Sequence, residues 1–182
     1  MQKLIPILFA SFILAGCSPS SNIKFVDSPT AELGSDFDAC TLVESVKGKN
    51  ISNSDIENRV INIAGYRVSC SEVDTSAVGT QKAYFDFDGQ MYETTVKVVD
   101  TTPPEISILD NVDSANPLDY VKATDLSGVQ SLKYIGQYDS NTPGEYTVQI
   151  VAVDNEGNTS QKELTLTVRA NGSTEENEEK KK

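Results

Sequence analysis

One duplicated pattern of alternating side chains constrains this chain more than any other feature. Residues 74–99 align with residues 139–168, placing Asp74 on Asp139, Gly79 on Gly144, Asp88 on Asp154, Gly89 on Gly157, and Val96 and Val98 on Leu166 and Val168. Self-similarity of this kind marks one structural unit used twice. In the first copy Ala83, Phe85 and Phe87 alternate before Asp88-Gly89, and Tyr92, Thr94, Val96 and Val98 alternate after it. Asp-Gly between such runs is a two-residue hairpin signal. Pairing across it sets Phe85 opposite Tyr92 and Ala83 opposite Thr94, so all seven side chains share one face. In the second copy Tyr146, Val148, Ile150 and Ala152 face inward, Asn155-Glu156-Gly157-Asn158 makes a longer turn, and Leu164, Leu166 and Val168 return. A period of two is a strand period. A single short helical turn fits only within Ser52 to Arg59.

The repeat extends upstream. Residues 36–44 (DFDACTLVE) align with 117–125 (PLDYVKATD), which puts Cys40 on Val121, and further on Cys70 falls on Ile135. Both columns read as apolar strand positions facing a core. The first copy carries about 16 more residues than the second between its paired positions, a length that reads as a surface insertion, with Lys47 to Asn62 at its centre. Two copies of roughly 70 to 80 residues with short strands and regular turn signals predict an all-β fold of two small antiparallel β-sandwiches in series. Between them Val99-Asp100-Thr101-Thr102-Pro103-Pro104 reads as a short, stiff linker, because proline fixes φ and biases the preceding residue to extended backbone.

The N-terminus bears on location. Lys3 precedes an apolar run from Leu4 to Leu14, which leads into Leu14-Ala15-Gly16-Cys17. A basic residue, a short apolar run and small residues at its end form a secretory signal pattern. The run is shorter than the about 20 residues that span a bilayer. The tetrapeptide resembles a bacterial lipoprotein processing site. That resemblance implies cleavage between Gly16 and Cys17, a diacylglyceryl group on the Cys17 thiol, often an acyl group on the new amine, and an extracytoplasmic protein held at the cell membrane by lipid. With Cys17 lipidated, Cys40 and Cys70 remain as an even pair in an oxidising compartment, which favours a disulfide over two buried thiols.

The second copy also carries Pro143-Gly144-Glu145-Tyr146-Thr147-Val148, Ala152-Val153-Asp154-Asn155-Glu156-Gly157-Asn158 and a closing Thr167-Val168. These segments resemble bacterial Ig-like surface modules, including the Ig-like domain named after a pesticidal crystal protein and the hyalin repeat. The first copy departs from them, with Gly79-Thr80-Gln81 and Asp88-Gly89-Gln90 at the matching positions. The resulting plan is a signal peptide at 1–16, a lipidated tether at 17–24, Ig-like modules at 25–100 and 101–169, and a charged tail at 170–182 whose composition is that of a disordered segment.

Composition narrows the chemistry. The 182 residues contain no histidine, so no Ser-His-Asp triad, no His-ligated zinc and no imidazole base can be assembled. The net charge of −12 is spread evenly, with an excess of six acidic residues in 22–100 and six in 101–170, which argues against nucleic acid as a partner. Catalysis would have to run on carboxylates such as Asp86 with Asp88 or Asp36 with Asp38. Asp86 falls on the strand face opposite Phe85 and Phe87, where a solvated carboxylate makes a poor general acid. Asp100, Asp125 and Asp154, with Asn155 and Asn158, invite a calcium reading, while the same residue types serve tight turns for backbone reasons. Asn50, Asn158 and Asn171 start glycosylation sequons, a pattern short enough to recur by chance. The reading is a non-enzymatic surface lipoprotein whose modules act as a spacer or as an adhesive surface for an envelope protein or glycan. The alternatives are a structural subunit of an envelope assembly and a carboxylate hydrolase. Strand edges and the Lys47–Asn62 insertion are the expected recognition surfaces.

Overall fold

In the computed structural model, residues 22–109 and 116–169 are described, and they form an all-β structure. The first part has two sheets. The smaller has strand order β1-β3-β4, where β1 is Ile23–Phe25, β3 is Val43–Val46 and β4 is Lys49–Asn50. The larger contains β2 (Thr30–Glu32), β5 (Ile56–Glu57), β6 (Val60–Ile63), β7 (Tyr66–Cys70), β8 (Gly79–Phe87) and β9 (Gln90–Val99), in the order β2-β9-β8-β7-β6-β5. Ile23, Val43 and Val46 from the small sheet and Ile61, Val68, Ala83, Phe85, Phe87 and Val96 from the large one bury into one cluster. Phe25 and Phe85 meet across it with ring centroids 4.8 Å apart.

The β8–β9 hairpin has the register its alternation predicts. Ala83 lies opposite Thr94 and Phe85 opposite Tyr92. Asp88 and Gly89 both take positive φ, 55° and 76°, the backbone that a tight two-residue turn demands. Asp86 braces the turn by accepting a hydrogen bond from the Gly89 N–H at 2.9 Å. Burying Phe85 fully is worth about 1.5–3 kcal/mol relative to exposure, and its place in the cluster follows from that register.

The second part repeats the plan with fewer strands. β10 (Glu105–Ile108) pairs with β11 (Val121–Thr124), and β12 (Val129–Ile135), β13 (Gly144–Asp154) and β14 (Thr159–Val168) form a three-stranded sheet. Val148, Ile150, Ala152, Leu164 and Leu166 bury with Ile106 and Val121 in a second cluster that shares no residue with the first. Tyr146 lies opposite Leu166 and Val148 opposite Leu164, so the inward faces agree here too.

Four features differ from the sequence reading. The pairing is not wholly antiparallel, because β2 runs parallel to β9. After β1 the chain bends at Ser28 (φ 50°), and from Pro29, whose carbonyl accepts from the Lys97 N–H, it runs along the edge of the larger sheet. The insertion lies at the surface, exposed or half-buried from Lys47 to Val60, but it is built as strands at the sheet edges. Its residues form β4 at the edge of the small sheet and β5 and β6 at the edge of the large one, with Ile61 buried in the core. Its helical content is a single 3-10 turn at Asn53–Asp55.

The other two differences concern the cysteine columns. Asp38 and Asn116 each cap a 3-10 turn, Ala39–Leu42 and Pro117–Tyr120, by accepting from the N–H two residues on. The capped turns are therefore the equivalent elements, so Cys40 corresponds to Leu118 and Val43, not Cys40, corresponds to Val121. Cys70 lies opposite the buried Phe85, whereas Ile135 lies opposite Gln149 on the outward face and is 54% exposed. Tyr134, opposite Ile150, holds the matching position.

Candidate functional site

Three loops meet where the two cores adjoin, and each begins with an aspartate. Asp100 follows Val99 at the end of β9, Asp125 follows β11, and Asp154 is the last residue of β13. In each the carboxylate Oδ1 accepts from the N–H two residues on: Thr102 at 3.0 Å, Ser127 at 2.8 Å and Glu156 at 2.9 Å. This is the local turn chemistry that favours Asp at such positions. The Ser127 hydroxyl adds a second bond to Asp125 Oδ1, and the Asn158 N–H a second to Asp154 Oδ1.

The same folding brings the three carboxylates together, with one ligand oxygen from each lying within 4.8 Å of the others. Asp154 is 0% exposed and Asp100 7% exposed, with Asp125 half-buried. Burial pushes the Asp154 carboxyl up. The Asn158 side-chain amide and the N–H groups of Asn158, Gly157 and Glu156 more than offset this and hold it below the usual carboxylate range. Asp100 Oδ2, by contrast, is buried with no hydrogen-bond partner. A cavity of about 340 Å³ opens beside the cluster, lined by residues that include Asp100, Pro103, Asp125 and Leu126.

Asn155 and Asn158 present amide nitrogens rather than ligand oxygens. Asn158 Nδ2 donates to Asp154 Oδ2 at 2.8 Å and to the Asp100 carbonyl at 3.0 Å, tying the second hairpin to the linker. Asn155 Nδ2 donates to the Ser127 carbonyl and so joins two loops of the second core. The two asparagines are clamps, and the sequon at Asn158 has its amide committed to protein oxygens. Asn50 lies exposed in β4.

Glu32, which no local sequence signal marks, also fastens the junction. Its carboxylate accepts from the Thr101 N–H at 2.8 Å and from the Thr101 and Thr102 hydroxyls at 3.0 Å each. The Thr101 N–H, aided by those hydroxyls, holds the Glu32 carboxyl below its ordinary range against burial and the Asp100 charge. The partners are 69 and 70 residues away in sequence, a distance at which only the fold can bring them together.

The remaining candidates are dispersed. Cys40 and Cys70 are joined by a disulfide, with Cα atoms 5.5 Å apart. Asp86 and Asp38 serve a hairpin turn and a helical cap, and Asp88 sits in the turn itself. Gly16, Cys17, the signal and most of the tether, Asn171 and the 170–182 tail lie outside the described residues. Among the described residues no helix is long and apolar enough to cross a membrane.

Fold and site together define an all-β protein with two cores and an acidic junction between them. No protein-family model matches the sequence, and no curated protein matches it.

Proposed function

We propose that the chain is a non-enzymatic bacterial surface lipoprotein, anchored outside the cytoplasm through lipid on Cys17, whose two Ig-like modules hold a binding surface away from the membrane. The observation that carries this reading is Leu14-Ala15-Gly16-Cys17 placed directly after Lys3 and an apolar run of secretory length. The Cys40–Cys70 disulfide supports it, because structural disulfides persist in oxidising compartments. The junction supports the display role, since Glu32 and Asn158 fasten the linker to both sides. Two acyl chains suffice for stable anchoring where one gives only marginal binding. The edges at β4 and β5, both built from the insertion and unpaired among the described residues, are the surfaces offered to an envelope protein or glycan by strand addition or loop contact.

Expression in a bacterial host of the full chain beside its Cys17→Ser variant tests the reading. The parent chain should partition with membranes and into the detergent phase, and the variant should be released or stay unprocessed. Equal partitioning of both after residues 1–16 have been removed from each would overturn the anchor.

A further inference from the structure

We propose that Asp100, Asp125 and Asp154 form a calcium-binding site that locks the end of β9 to the two loops of the second core. The inference stands on the junction itself and does not depend on whether Cys17 carries lipid. Three carboxylates that each supply a ligand oxygen within 4.8 Å of the others are spanned by one calcium shell, whose oxygens lie about 2.3–2.6 Å from the ion. Buried carboxylates require a compensating charge or a full set of hydrogen bonds. Among the described residues the ion pairs are Lys24–Glu44, Arg59–Glu72 and Lys82–Glu93, none of which includes these aspartates.

Hydrogen bonding leaves the account open at one atom. Asp154 has bonds at both oxygens, and Asp125 has two at Oδ1. Asp100 Oδ2 has none, although its residue is more than nine-tenths buried. A buried acceptor with two lone pairs and no donor is what a cation ligand looks like before its ion is counted. The neighbouring cavity gives access from solvent and room for the waters that complete a shell of six to eight oxygens. The donor set is oxygen only, without histidine or thiol, which suits a hard cation. Calcium tolerates the irregular geometry that three separate loops impose, whereas magnesium demands a near-ideal octahedron.

Binding would act on the junction in a defined way. Asp100 directly follows β9 of the first core, while Asp125 follows β11 and Asp154 ends β13 in the second. One ion shared by the three ties both parts together and reduces their joint charge from −3 to −1. Loss of the ion restores repulsion among three carboxylates and loosens the linker.

The test uses the full chain, purified in detergent, stripped with a chelator and titrated with calcium chloride by calorimetry. One calcium should bind per chain, with a dissociation constant on the order of 10⁻⁴–10⁻³ M, the range of extracellular modules. Asp125→Asn should weaken binding at least tenfold, while Asp88→Asn, at an exposed hairpin turn, should leave it unchanged. Calcium should also slow amide exchange in residues 99–104, 125–128 and 154–158 of the parent chain, a readout that survives if Asp125→Asn fails to fold. The proposal is overturned by no uptake at 10 mM calcium, ten times the weak end of that range. Unchanged affinity in Asp125→Asn, slowed exchange only elsewhere, or equal affinity for magnesium would overturn it as well.

Discussion

Reducing the Cys40–Cys70 bond perturbs one core and spares the other. The bridge spans a sequence separation of 30 and ties the capped turn at Ala39–Leu42 to β7 across the first cluster. Opening a loop of that length returns chain entropy to the unfolded state worth about 3.6 kcal/mol by the loop-closure relation, within the usual 2–4 kcal/mol for such a bridge. With a urea slope of about 1–3 kcal/mol per M, the unfolding midpoint of the first core should fall by roughly 1–3.5 M. The assay is urea unfolding of the same chain with and without a reductant, read by amide exchange in two sets of peptides. Those from residues 79–99 should lose protection at lower urea after reduction, and those from 144–168 should not. A shift in the first set under about 0.3 M, or an equal shift in both, would refute the reasoning.

The other predictions follow from packing, backbone and charge. Phe85→Ala should cost the first core about 3–5 kcal/mol, seen as early loss of exchange protection in 79–99 with 144–168 retained. Gly34 has φ +71°, and a Cβ there would meet Leu126 Cδ1 at 2.8 Å. Gly34→Ala should therefore destabilise by about 1–3 kcal/mol, and adding Leu126→Ala should recover only the contact part in a thermal melt. The carboxyls of Asp55, Asp74 and Asp139 are held below their usual range, chiefly by the side chains of Ser52, Ser76 and Thr142. A folded-state pKa below the unfolded one adds stability above the carboxylate range, and that stability is lost as pH falls through it. Melting temperature should drop between about pH 5 and pH 3, and a rise over that interval would contradict the assignment.

What sequence could and could not show divides along the distance between partners. The β8–β9 register was legible because Asp88-Gly89 sets the turn and burial of Phe85 and Phe87 sets the face, two local signals that agree. The turns at Lys47-Gly48, Ala64-Gly65 and Asn58-Arg59 also take positive φ, but Lys47 and Ala64 are weaker turn formers than Asp88, and Asn58-Arg59 has no glycine. Their strands therefore read as loop. Aligning Cys40 with Val121 passes over the capped turn that precedes each strand, a turn whose cap residues are Asp38 and Asn116. The aspartates of the junction stood out as turn residues. That they converge within 4.8 Å, and that Glu32 reaches the linker beside them, depends on loops set by separate strands.

The lipid anchor is the claim on which the account turns, and the intact mass of the protein extracted from host membranes tests it most directly. The account predicts a chain that begins at Cys17 and carries diacylglyceryl on its sulfur. A chain that retains residues 1–16, or that is cut elsewhere and bears a free Cys17 thiol, would contradict it.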